Sequence, residues 1–140
     1  MIGKEKILII CTNNSSRSQM AEGYFKHAYG EYYDVHSAGT EPTTVNPYAV
    51  KVLGELGIDI SDHHSKSLNE FEGQEFDQVI TVCGGAKEAC PFFPGAKNYM
   101  HHGFKDPARV NGTQEEKMRV FREVRDKIIS WIDETFKKMS

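Results

Sequence analysis

Cys11-Thr12-Asn13-Asn14-Ser15-Ser16-Arg17-Ser18 is the stretch of this chain whose residue types and spacing could do chemistry. It follows the apolar run Ile7-Leu8-Ile9-Ile10 and precedes a helical pattern. A strand that delivers a cysteine and turns through small polar residues into a helix points successive backbone N–H groups at one spot, which suits a tetrahedral oxyanion. Thr12, Asn13, Asn14, Ser15, Ser16 and Arg17 form this candidate cradle. The same donors favour thiolate over thiol at Cys11, making it the candidate nucleophile. Arg17 offers a rigid fork matched to two anion oxygens, where a lysine would give only a point charge. Asn13 and Asn14 tolerate the positive φ that a sharp turn requires. Ser18 can either cap the helix or hold the sulfur. The Cys-x5-Arg spacing is weak by itself; its place at a strand–helix junction, uninterrupted by bulky apolar residues, gives it weight.

Two other cysteines and one carboxyl could take part. Cys83 ends an apolar run, and Cys90 follows in a segment punctuated by Gly84-Gly85 and Pro91. On residue type alone the pair could be redox-active, buried small core residues, or metal ligands with His101 or His102, although six intervening residues fall outside the usual structural-zinc spacing. Asp106-Pro107 could hold a carboxyl over the cradle as general acid, or be an ordinary turn. His63 and His64 could serve a site, but adjacent histidines in a polar stretch are more often solvated.

The elements that must position these groups are legible. Lys6 to Cys11 reads as a buried strand, and Met20, Ala21, Tyr24, Phe25 and Ala28 recur at helical spacing from Arg17 to Tyr29, with Gly30 as a stop. Tyr33 to Ser37 is a second strand, so a right-handed βαβ unit with parallel strands is expected. Glu41 to Val45 reads as a loop near the cradle. Asn46-Pro47 starts a helix whose Val50, Leu53 and Leu56 line one face and which Gly57 closes. Leu68 to Phe71 is a brief helical turn, Phe76 to Val82 a third strand and Lys97 to Met100 a short fourth. Gln114 to Phe136 is a long amphipathic helix with Met118, Phe121, Val124, Ile128, Ile132 and Phe136 on its buried stripe. Ligand sites gather at the carboxyl ends of such strands, so Cys11 and Cys83 should approach one another.

Composition bounds the rest. A chain of 140 residues, 39% hydrophobic, suits one domain spanning 1–140. A balance of 17 basic to 20 acidic residues argues against a nucleic-acid or membrane-surface binder, so anion binding must be local. The short N-terminal apolar run is neither signal peptide nor membrane span, and three cysteines give no disulfide framework. A cytoplasmic location is expected.

Cys11 to Ser18, continued by Gln19-Met20-Ala21-Glu22-Gly23, resembles the signature of the low-molecular-weight protein tyrosine phosphatase fold, and within it the thioredoxin-coupled arsenate reductases. The likeness extends through Ser37-Ala38-Gly39, Asn46-Pro47, Cys83 to Pro91 and Asp106-Pro107-Ala108. It implies an α/β three-layer sandwich, a four-stranded parallel sheet flanked by helices. It also implies reduction of arsenate to arsenite by a monomer without cofactor, with phosphate as competitor. Cys11 would attack As(V) with Arg17, Ser18 and Asp106 assisting. Cys83 would then attack the adduct, leaving a Cys11–Cys83 disulfide, and Cys90 would convert it to a Cys83–Cys90 disulfide for thioredoxin to reduce. The Gly84-Gly85 pair would let Cys90 travel. The alternative is a phosphatase acting on phosphotyrosine or small aryl phosphates through Cys11, and a further class is a non-enzymatic phosphate or redox sensor. This chain departs from the pattern at Asn13, usually glycine, and at Ser16, usually cysteine. Some relatives hold potassium with residues matching Asn14, Glu22, Ser37 and an aspartate. Lys66 stands in that aspartate's place, and its ammonium would replace the ion. Ala108-Arg109 after Asp-Pro replaces the aromatic of the phosphatase branch, which favours a small inorganic oxyanion.

Overall fold

The computed structural model describes residues 4–83 and 93–136. Cys90 and the Gly84-Gly85 hinge expected from the sequence lie outside the described residues.

Strand β1 (Glu5–Cys11) pairs in parallel with β2 (Tyr33–Gly39) and with β3 (Phe76–Thr81), and β4 (Ala96–His101) pairs in parallel with β3, giving the order β2-β1-β3-β4. β1 is central, and Ile7 through Ile10 are all essentially inaccessible to solvent, which explains why that strand reads as an unbroken apolar run. Alternation splits the run between two cores. Ile7, Ile9 and Cys11 face the larger one with helices α1 (Arg17–Tyr29), α2 (Pro47–Gly54) and α3 (Gln114–Phe136). Leu8 and Ile10 face the smaller one, where Phe71, Phe76, Val79 and Phe93 pack and a 3-10 turn over Leu68–Phe71 lies.

Each helix buries the residues its periodicity selects, with informative exceptions. α1 buries Met20, Ala21, Phe25 and Tyr29, whereas Ala28, expected on that stripe, is exposed. α2 starts as expected, with the Asn46 side chain accepting from the Tyr48 N–H at 2.9 Å and Pro47 in the first turn. Leu56, expected on its buried face, is 45% exposed because the helix has already ended at Gly54. The chain reverses after it at Gly57, whose φ of +78° requires glycine. α3 buries Val120, Phe121, Val124, Ile128, Ile132 and Phe136, while Met118 is only half-buried. Two tyrosines of α1 tie it to α3: the hydroxyls of Tyr24 and Tyr29 both donate to Asp133 Oδ1 at 2.7 Å. Among the described residues no helix is long and apolar enough to cross a membrane.

Candidate active site

Cys11 is the last residue of β1, and the cradle begins where pairing stops. Its carbonyls are tied outward. Glu41 N–H donates to Thr12 O at 2.9 Å, Thr43 N–H to Asn13 O at 3.3 Å, Asn46 N–H to Ser15 O at 3.0 Å, and the Ser65 hydroxyl to Asn13 O at 2.8 Å. With the carbonyls held by the 41–46 loop and Ser65, the opposing N–H ends of those peptides turn toward the interior, which is the polarity an anion needs. The turn bends at Asn14, with φ of +50°; Asn13 has no such conformation. Gly39, at the end of β2, lies against this backbone so closely that a Cβ there would meet Thr12 O at 2.5 Å and Asn14 N at 2.9 Å.

Cys11, the candidate nucleophile, sits at the floor. Cys11 is 2% exposed, its Sγ lies 2.9 Å from Ser18 Oγ, and it accepts from the Asn14 N–H at 3.3 Å. Of the two roles open to Ser18, the structure therefore displays contact with the sulfur. Asn14 Nδ2 donates to Ser18 Oγ at 2.8 Å, which leaves the serine hydroxyl proton free to point at a thiolate, a group that accepts hydrogen bonds and donates none.

Above Cys11 is a cavity of about 60 Å³ lined by Asn13, Ser15, Ser16, Arg17, Thr43, Asp106 and Ala108. Arg17, 3% exposed, donates through Nη1 to Phe104 O at 3.3 Å, and its Nη2 lies 3.7 Å from Asp106 Oδ2. Asp106 acts as turn and site residue at once. Its Oδ1 accepts from the Ala108 N–H at 3.0 Å, capping a 3-10 turn over Pro107–Arg109, while Oδ2 faces Arg17 and, at 3.4 Å, Arg109 Nε. No aromatic ring lines the cavity among the described residues.

Cys83 approaches from the neighbouring strand. Two residues beyond β3, it is 2% exposed, belongs to the same core cluster as Cys11, and directs its Sγ to the carbonyl of Ile10 at 3.9 Å. The two sulfurs thus share one face of the sheet at its carboxyl end. His101 is hydrogen-bonded to Thr81, with Nδ1 2.7 Å from Oγ1, and His102 stacks on Phe104, its ring centroid 4.6 Å away.

Behind the cradle is a polar cluster that sequence reasoning found only in part. Ser37 Oγ accepts from Asn14 Nδ2 at 2.9 Å and donates to Glu22 Oε1. Lys66 Nζ lies 3.5 Å from Glu22 Oε1, and Lys26 Nζ 2.5 Å from Oε2. Burial alone would raise the Glu22 pKa, but the Lys66 ammonium, together with Lys26 and Ser37, holds it below the ordinary value. Gln19 was missed as a site residue. It is fully buried, and its Nε2 reaches Asn14 O at 3.2 Å, Asn14 Oδ1 at 3.0 Å and His64 O at 3.0 Å. Its Oε1 is then left to accept, so His63 Nδ1, 3.0 Å away, carries the proton. Burial lowers the His63 pKa, so this half-buried histidine is not the solvated residue its polar stretch suggested. The signal available was a long polar side chain beside Ser18 in the first turn of a helix that buries every position from Arg17 to Gly23.

Fold and cradle together define a class. The sequence pattern of low molecular weight phosphotyrosine protein phosphatases matches residues 6–140, and this chain belongs to that family. Its relatives include an arsenate reductase of Halalkalibacterium halodurans, 50% identical over 127 residues that cover 91% of each chain. Among solved structures, an arsenate reductase in the phosphate binding state superposes with a TM-score of 0.82 at 30% identity, over 97% of this chain and 99% of that one. A low molecular weight protein tyrosine phosphatase from T. tengcongensis gives a TM-score of 0.72 at 26% identity, over 96% of this chain and 99% of that one.

Proposed function

We propose that this protein reduces arsenate to arsenite by a cascade of three thiols, with electrons supplied by thioredoxin. Arsenate enters the cavity above Cys11, with its oxygens on the cradle N–H groups and the Arg17 fork. Cys11 Sγ attacks arsenic while Asp106 gives a proton to the departing oxygen, which leaves as water. Cys83 then attacks Cys11 Sγ. The electron pair of the breaking S–As bond stays on arsenic, which departs as arsenite, and two thiols have become a Cys11–Cys83 disulfide. Cys90 attacks Cys83, freeing Cys11, and thioredoxin reduces the Cys83–Cys90 disulfide.

The observation that carries this reading is the placement of Cys83 with Cys11 in one core cluster, its Sγ turned to the carbonyl of the residue preceding the nucleophile. A phosphatase needs Cys11, Arg17 and an acid but no second thiol there. The similarity to named arsenate reductases supports the same conclusion, as does a cavity lining that holds no aromatic ring among the described residues to grip an aryl ester. Hydrolysis of aryl phosphates is expected at most as a weak side activity. The test is arsenate-dependent NADPH oxidation with thioredoxin and thioredoxin reductase, run beside glutathione with glutaredoxin. Turnover with thioredoxin is expected; none with either system contradicts the reading.

A further inference from the structure

Two buried side-chain amides, those of Gln19 and Asn14, stand between His63 and the sulfur of Cys11, and backbone groups fix which way round each is held. The Gln19 Nε2 end faces His64 O at 3.0 Å and Asn14 O at 3.2 Å, carbonyls that only accept, so that end must be the donor. The Asn14 Oδ1 end faces the Lys66 N–H at 2.8 Å, which only donates, so that end must be the acceptor. Gln19 Nε2 therefore also donates to Asn14 Oδ1 at 3.0 Å, and Asn14 Nδ2 is turned onto the hydroxyls of Ser18 at 2.8 Å and Ser37 at 2.9 Å.

Every link then donates in one direction. His63 Nδ1 donates to Gln19 Oε1 at 3.0 Å, Gln19 to Asn14, Asn14 to Ser18, and the Ser18 hydroxyl to Cys11 Sγ at 2.9 Å. Aligned donors polarise one another, and a chain of them that ends on sulfur favours thiolate. With the Asn14 amide reversed, its oxygen would face Ser18 and draw the serine proton away from the sulfur. Gln19 is not among the residues that line the cavity, so what it does for the site it does through Asn14. Resting on the reading that Cys11 is the nucleophile, we infer that Gln19 is a positioning residue, which keeps the Asn14 amide oriented so that Ser18 donates to the Cys11 sulfur.

The test is iodoacetamide alkylation of the reduced protein from acid to alkaline pH, with peptide mapping to read Cys11 apart from the other cysteines, in wild type, Gln19→Met, Ser18→Ala and the double variant. The ionisable groups around the sulfur, Arg17 of α1, Asp106 after β4 and the Cys83 thiol after β3, stay the same throughout, as do Glu22, Lys26, His63 and Lys66 behind the network. On the acid limb, where thiolate is scarce, alkylation falls about tenfold in Ser18→Ala and about threefold in Gln19→Met, while the alkaline plateau is unchanged. In the Ser18→Ala background Gln19→Met lowers it no further, because the link it acts through is gone. In isotope-labelled wild type the side-chain amide resonances of both Asn14 and Gln19 move as Cys11 ionises, a readout that stands even if Gln19→Met does not fold. An unchanged acid limb in folded Gln19→Met, a loss equal at every pH, an undiminished loss in the Ser18→Ala background, or a Gln19 amide resonance that stays still as Cys11 ionises overturns the inference. Alkylation needs no arsenate, so failure of the arsenate reading shows separately, as absent turnover with thioredoxin.

Discussion

Gly39→Ala probes whether the cradle's shape, rather than its list of residues, makes the site. Gly39 has no positive φ, so alanine meets no conformational barrier there; the obstacle is space. The added Cβ would fall 2.5 Å from Thr12 O and 2.9 Å from Asn14 N, both backbone atoms of the turn that follows Cys11 and whose Asn14 N–H donates to its Sγ. Carbon and oxygen rarely come closer than about 3.0 Å, so the turn or the end of β2 must yield by about 0.5 Å or more. Neither is free to do so. Thr12 O is held by the Glu41 N–H at 2.9 Å, and Gly39 N–H donates to Lys66 O at 2.9 Å. Overpacking of this kind costs about 1–3 kcal/mol. The chemical cost should be the larger effect, since a shift approaching 1 Å in a reacting group lowers rates by up to about 100-fold. The assay is kcat/KM for arsenate beside urea unfolding, which separates misplacement from unfolding. The expected variant is folded, destabilised by about 1–3 kcal/mol, and at least about tenfold slower. Wild-type kcat/KM in a folded Gly39→Ala would show that the cradle tolerates displacement of its own backbone, contrary to the role given to its shape.

Cys83→Ser should abolish multiple-turnover arsenate reduction while sparing any hydrolysis of p-nitrophenyl phosphate, and loss of both in a folded variant would count against the separate role of that thiol. Glu22→Gln leaves Lys66 without its buried countercharge and should cost about 2 kcal/mol in denaturant unfolding near neutral pH. Because the folded Glu22 pKa lies below its ordinary value of 4.5, its contribution is complete above that value and disappears as pH falls through the folded pKa. The stability gap between wild type and Glu22→Gln should therefore close on acidification below pH 4.5, and a gap that widens would reverse the assignment. With the Lys66 ammonium 3.5 Å from Glu22, exchanging potassium for sodium at constant ionic strength should leave kcat/KM for arsenate unchanged, and a several-fold potassium activation would show that the ammonium does not replace the ion.

Local signals carried the elements. The helical spacing of α1 and α3 placed their bounds at Arg17 to Tyr29 and Gln114 to Phe136, although Ala28 and Met118, expected on the buried stripes, are exposed and half-buried. The same logic misplaced Leu56, since the apolar spacing continues past Gly54, where the helix has already ended. The convergence of Cys11 and Cys83 could be read from topology alone, as adjacent parallel strands bring their carboxyl ends together. What stayed hidden was non-local. Nothing near position 39 announces that its missing Cβ makes room for Thr12 O. Nothing near position 19 announces that a glutamine spans from Asn14 to His64. Phe104 enters the site through its carbonyl, which no side-chain pattern can reveal.

Single-turnover chemistry shows whether Cys83 takes over from Cys11. Reduced Cys90→Ser protein, mixed anaerobically with stoichiometric arsenate, should yield one equivalent of arsenite and a protein lighter by two hydrogens. Peptide mapping should then join the fragment bearing Cys11 to the fragment bearing Cys83. Arsenate recovered unreduced, or arsenite formed without that crosslink, would contradict the account.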